Sequence, residues 1–233
     1  MDNAELWAKH YQAFVNTLPV GESALEKGTA YVYRVASIYM EAGFSLYLIK
    51  TGDQEWITLV KRALELFARS VREQDCESRD QYPFNLARLY LEWYLSTWWL
   101  GELPAPHYLE KTIALNLEGL QQRKVRNTGL YLPLAQCLLV RDGRIGDDFW
   151  QNAESVAGPL TRELVLLRRI SALADQPQPD FSAFLESYQM FFRRLRSPAE
   201  QPANFYLTLA YFVSARFPGV SPMDSTLRQL AIG

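Results

Sequence analysis

The chain has 233 residues, of which 48% are hydrophobic, 21% charged and 13% aromatic, and it carries a formal charge of −2. That balance excludes an intrinsically disordered chain, and without excess positive charge generic nucleic-acid binding is disfavoured. Two cysteines are too few for a disulfide scaffold, and no apolar run reaches the roughly 18 residues of a membrane helix.

Helical periodicity is present almost everywhere and strand alternation almost nowhere. A first helix is expected over Ala4–Thr17, capped by Asp2 or Asn3 and ended by Leu18-Pro-Val-Gly21. Ser23 is expected to cap a long second helix reaching Lys50. Its two apolar stripes, one through Tyr31, Val35, Tyr39, Ala42 and Leu46 and one through Val32, Ala36, Gly43 and Tyr47, predict burial on two sides. Gly43 costs about 1 kcal/mol in helix propensity unless a neighbouring helix needs the space. Gly52 closes this helix, and Asp53 caps a third, amphipathic one from Gln54 to Arg72. Pro83 opens a fourth helix to Leu100, rich in aromatic residues, and Gly101 stops it.

Pro104 and Pro106 open a fifth helix to Gln122, followed by the basic connector Arg123–Gly129. Further helices are expected over Tyr131–Val140, from an Asp147 cap to Val156, from Pro159 to Leu173, over Phe181–Leu195 with an Asp180 cap, from Pro202 to Arg216, and over Ser225–Ile232. Turns at Gly52, Gly101 and Gly143 recur about every 40 to 50 residues, within the range of helical arrays. The fold class is therefore all-α: about ten helices in successive antiparallel hairpins, without a sheet, in one domain over residues 1–233.

One segment resembles a known family. Leu46-Tyr-Leu-Ile-Lys-Thr-Gly-Asp53, Trp56 and Ala63-Leu-Glu-Leu66 are similar to a tetratricopeptide hairpin, with its Gly-Asp turn and late Ala-Leu-Glu-Leu signature. The second helix here reaches that signature one residue early. The resemblance covers about residues 30–74 and implies stacked hairpins and a partner-binding role.

Catalytic chemistry finds little support. His10 and His107 are the only histidines, and the Glu-x-x-His pairs of helical metal oxidases are missing. No zinc spacing, phosphate-binding loop, dinucleotide fingerprint or nucleophile elbow is found. Cys137 lies in an apolar run and reads as a packing thiol. Asp147-Asp148 lacks the third carboxylate, one turn along, of a magnesium-binding motif; a cap and a first-turn acid explain the pair. No cofactor or metal is expected.

Binding is therefore the favoured reading. The candidates are the acidic stretch Glu73, Asp75, Glu77 and Asp80; the Trp98-Trp99 patch; the basic residues Arg123, Lys124 and Arg126; Asp147 and Asp148; and Arg193, Arg194 and Arg196. Arg162, Arg168 and Arg169 form a further basic cluster. Adjacent tryptophans point about 100° apart on a helix, so core packing is the simpler role for Trp98 and Trp99. Met1-Asp-Asn-Ala-Glu5 has no signal-peptide character, and a cytoplasmic location is expected. The expected function is that of a non-catalytic inhibitor, immunity-type or adaptor protein holding one protein partner. The alternatives are a helical enzyme or ligand carrier, examined first around Arg34, Tyr39, Glu41 and Tyr47, and a nucleic-acid-binding protein with its arginine clusters on one face.

Overall fold

Amphipathic sequence becomes helix along almost the whole chain. The computed structural model describes residues 3–26, 31–50, 52–74, 83–123, 126–176, 180–192, 202–217, 219 and 223–232. Among these residues there are eleven α-helices and no strand: α1 (Asn3–Ala24), α2 (Val32–Ile49), α3 (Glu55–Gln74), α4 (Pro83–Trp99), α5 (His107–Arg123), α6 (Leu132–Asp142), α7 (Asp147–Ala157), α8 (Arg162–Ala174), α9 (Phe181–Phe192), α10 (Ala203–Arg216) and α11 (Met223–Ile232). A 3₁₀ turn over Thr128–Tyr131 leads into α6 from what the sequence presents as a basic connector.

Successive helices pack in pairs, α1 on α2, α2 on α3, α4 on α5 and α5 on α6. Gly52, Gly101 and Gly143 sit at their turns with φ of 83°, 80° and 68°, a region that disfavours any residue with a Cβ. Gly43 answers to packing instead. A Cβ there would lie 2.8 Å from Val60 Cγ2 and 3.2 Å from the Trp56 carbonyl, so its lack of a side chain lets α2 and α3 approach closely.

Three expected boundaries are corrected. α1 does not end at Leu18; it continues through Pro19 to Ala24. Proline removes one helical hydrogen bond, but tertiary contacts hold the next turn. Glu22 takes two hydrogen bonds from Arg62, Gly21 packs against Val35, and Leu25 is buried. Ser23 consequently caps nothing: its hydroxyl donates to the Val20 carbonyl inside α1. α2 begins only at Val32. In α7 the capping position is Gly146, and Asp147 and Asp148 occupy the first turn. Asp53 and Asp180 do accept N–H groups at helix starts, from Glu55 and Ser182.

One continuous apolar cluster reaches from Trp7 to Ala231. Helix α10 runs through its middle and touches α2, α4, α6 and α11. Residues 203–210, Phe212 and Val213 are all buried, so α10 has no solvent face for most of its length, as expected of a helix apolar all round. Hydrogen bonds tie it to three helices in turn: Ala203 N–H to Glu41, Asn204 Nδ2 to Glu92, and Gln136 Nε2 to Thr208 Oγ1. The hairpins thus wrap a central helix. Trp7 Nε1 donates to the Ala231 carbonyl at 3.3 Å and joins α1 to α11.

Candidate functional site

Helix α2 carries a line of polar residues four apart, Tyr33, Ser37 and Glu41. Helix α4 carries a matching line, Arg88, Glu92 and Ser96. Residues at this spacing share one helix face. The two lines face each other at the start of α10, and Glu92 is at the centre, 3% exposed. Its Oε1 accepts from Arg88 Nε at 2.7 Å, Asn204 Nδ2 at 3.2 Å and the Tyr33 hydroxyl at 3.3 Å. Its Oε2 accepts from Ser37 Oγ at 3.1 Å. Burying a carboxylate costs several kcal/mol, and only a cation with further donors offsets it. Arg88 supplies the charge, and its side chain remains 43% exposed at the mouth of the seam.

Glu41 lies alongside. Its Oε1 accepts the Ala203 N–H at 2.8 Å, at the open N-terminus of α10, where Pro202 provides no side-chain cap. Burial pushes its carboxyl up to about 8, against the pull of the Ala203 hydrogen bond, and the Glu92 charge adds to the rise. Burial likewise raises the Tyr33 and Tyr206 hydroxyls, with Glu92 and Glu41 adding to their respective shifts. Glu92 holds the Arg88 guanidinium firmly protonated. Asn204 is 4% exposed, and its Oδ1 has no hydrogen-bond partner. The cluster therefore has two carboxylates, one arginine and an unused buried acceptor.

This seam is not the site expected on α2. Arg34 is exposed, Tyr39 donates to Glu22, and Tyr47 packs against Trp56 and Trp99, so of that group only Glu41 joins the cluster.

Of the residues expected to bind a partner, Arg126, Trp98, Trp99, Asp147 and Asp148 are described with their side chains. Asp75, Glu77, Asp80, Lys124, Arg193, Arg194 and Arg196 lie outside the described residues, as do the side chains of Glu73 and Arg123. Arg126 is exposed. Trp99 is 2% exposed and stacks on Trp56 with centroids 4.6 Å apart, so it is a core residue without surface to offer. Trp98 is half-buried against Tyr211. Asp147 and Asp148 are exposed, and Asp147 lines a cleft of about 720 Å³ with Asp142, Arg144, Ile145, Gly146 and Asp175. Arg162, Arg168 and Arg169 lie on the outer side of α8, where Arg168 bonds Glu154 of α7 at 3.3 Å.

Cys137 is buried, and burial raises its thiol well above the usual range, opposite to what a nucleophile needs. Burial lowers His10, whose ring packs between Trp7 and Phe14. Among the described residues no group of three or more His, Cys, Asp or Glu is placed to hold a metal ion, and no helix is long and apolar enough to cross a membrane.

No family model, curated protein or solved structure matches this chain.

Proposed function

We propose that the chain is a non-catalytic protein-binding protein of the cytoplasm, of inhibitor, immunity or adaptor type, that holds one specific protein partner. The observation that carries this reading is the edge formed by α7 and α8. Of the eleven residues of α7 only Trp150 and Ala153 are buried. Val156 on α7 and Val165 on α8 stand 46% and 50% exposed, and the Glu154–Arg168 pair ties the two helices. Asp147 and Asp148 begin α7 beside the cleft and Arg162, Arg168 and Arg169 lie on α8, so the edge combines apolar contact with charges of both signs and suits a partner surface of complementary pattern. The tetratricopeptide-like α2–α3 hairpin belongs to the same proposal. Because α10 fills the inside of the array, the partner would dock on an outer edge.

A pull-down from native lysate with tagged protein, run beside a Val156→Glu, Asp147→Lys variant, tests the reading. The expected result is one stoichiometric protein that the variant loses. Capture of no such protein, or equal capture by the variant, overturns it.

A second reading, a ligand carrier with a polar site between helices, is favoured by the Glu92 cluster. Part-exposed Tyr33, Ser37 and Arg88 bond buried Glu92, which also holds buried Asn204.

A further inference from the structure

We propose that the seam between α2 and α4, at the N-terminus of α10, binds the ammonium group of a small aliphatic amine. This rests on the ligand-carrier reading and is independent of the α7–α8 edge.

Donors and acceptors in the seam do not balance. Glu92 is saturated by Arg88, Tyr33, Ser37 and Asn204. Glu41 uses Oε1 for the Ala203 N–H. Asn204 Oδ1, on a residue 4% exposed, is left without a donor, although its amide nitrogen lies 3.2 Å from Glu92. A buried amide oxygen without a partner costs about 1–3 kcal/mol, so such an atom invites a donor from outside the chain.

Charge permits a cation that displaces a proton. At pH 7 Arg88 balances Glu92, while Glu41 carries an exchangeable proton, and the charged groups that act on Glu41 are Glu92 and Arg88. An anion is disfavoured, because Glu41 already occupies the helix N-terminus and Glu92 already occupies Arg88. An ammonium brings three donors, and its positive charge takes the place of the proton on Glu41. Tyr33, Ser37, Glu41 and Arg88 each keep part of their surface in solvent, so the amine would enter from that side. Glu41 holds its proton to about pH 8 in the unliganded protein. A cation beside it favours the carboxylate, so at pH 7 amine binding displaces that proton into solvent.

The test is titration calorimetry at pH 7 with n-propylammonium, in phosphate and in HEPES buffer, with tetramethylammonium as a cation that has no N–H donor. The expected result is saturable 1:1 binding of propylammonium with release of close to one proton, and no binding of tetramethylammonium. Glu41→Gln keeps the acceptor for Ala203, and it should bind at least ten-fold more weakly and release no proton; its circular dichroism reports whether it has folded. The wild-type proton release stands as a readout even if the variant does not fold. Absence of saturable binding through the millimolar range overturns the proposal. So does equal binding of tetramethylammonium, or undiminished binding by folded Glu41→Gln. A pull-down that finds no protein partner leaves this result untouched.

Discussion

Glu41 on α2 accepts the backbone N–H of Ala203 at 2.8 Å, across 162 residues of chain. The bond gives the central helix a cap that Pro202, at its capping position, does not supply. Asn204, the next residue, reaches Glu92 on α4. One helix start is therefore held by two acidic side chains from two other helices. Neighbouring charge and burial then set how those groups respond to pH and to substitution.

The first consequence concerns pH. Glu41 is held near 8 when folded, against 4.5 for an ordinary glutamate. Between those values the folded state keeps a proton that the unfolded state has lost, so this group's contribution to stability falls as pH rises from about 4.5 to 8 and is level above that. Glu22 and Asp142 are lowered by their arginines and act oppositely, at more acid pH. Glu41→Gln isolates the first effect. Urea unfolding at several pH values should show wild type losing stability relative to this variant across the window, by a few kcal/mol at most. A constant difference would show that Glu41 is already ionised at pH 5.

Charge pairing in the seam sets a second expectation. Arg88→Ala leaves Glu92 buried at 3% exposure without its cation. Removing one partner of a fully buried pair costs about 3–5 kcal/mol. Arg88 is 43% exposed, so water recovers part of this and about 2–3 kcal/mol is expected. Glu92→Gln keeps an oxygen for the donors and releases Arg88 towards solvent, so it should cost less. Thermal melts of the two variants check the order.

How far the sequence reveals these features depends on the distance over which each is decided. The amphipathic stripe of α3, the glycine turns and the two-sided burial of α2 follow from residues a few positions apart, and they are legible. Pro19 misleads, because proline is a sound local stop signal; it is overridden by Glu22 meeting Arg62, 40 residues on. The polar lines on α2 and α4 are visible as four-residue spacings once sought, yet Arg88 and Glu92 present themselves only as charges interrupting an apolar run. Their convergence depends on α10, more than 100 residues downstream. The composition of α10, with Phe205-Tyr-Leu-Thr-Leu-Ala210 and scarcely a charge, carries a sign of central burial. No local pattern tells which helices surround it.

Close packing of α2 on α3 makes Gly43→Ala informative. Alanine improves helix propensity by about 1 kcal/mol. Its Cβ would stand 2.8 Å from Val60 Cγ2 and 3.2 Å from a backbone oxygen. The side chain can turn away but the backbone cannot, so a net loss of about 1–3 kcal/mol is expected. Val60→Ala should relieve part of that loss in the double variant, giving a favourable coupling in a double-mutant cycle. Simple additivity of the two changes would show that the clash lies with the Trp56 carbonyl and Leu59 Cβ rather than with Val60.

Arg228 tests how α11 is attached. The last turn of a helix needs donors from outside it, and at the end of α2 the Lys50 N–H meets the Leu46 carbonyl. Arg228 Nη2 donates to the Tyr47 carbonyl at 2.8 Å and Nη1 to the Leu48 carbonyl at 3.3 Å. Its guanidinium carbon lies 4.8 Å from the centroid of the Tyr47 ring. One planar fork thus meets two carbonyls of the last turn, places a cation at the negative end of α2 and covers an aromatic face. Arg228→Ala should cost about 1–3 kcal/mol in urea unfolding. Arg228→Lys keeps the charge but reaches only one carbonyl at a time, so it should recover less than half of the loss. Amide exchange should quicken in α11 more than in α3 for both variants, because α11 packs on α2 beside this contact. Full recovery by lysine would mean that the charge at the helix end, rather than the fork, holds α11 in place.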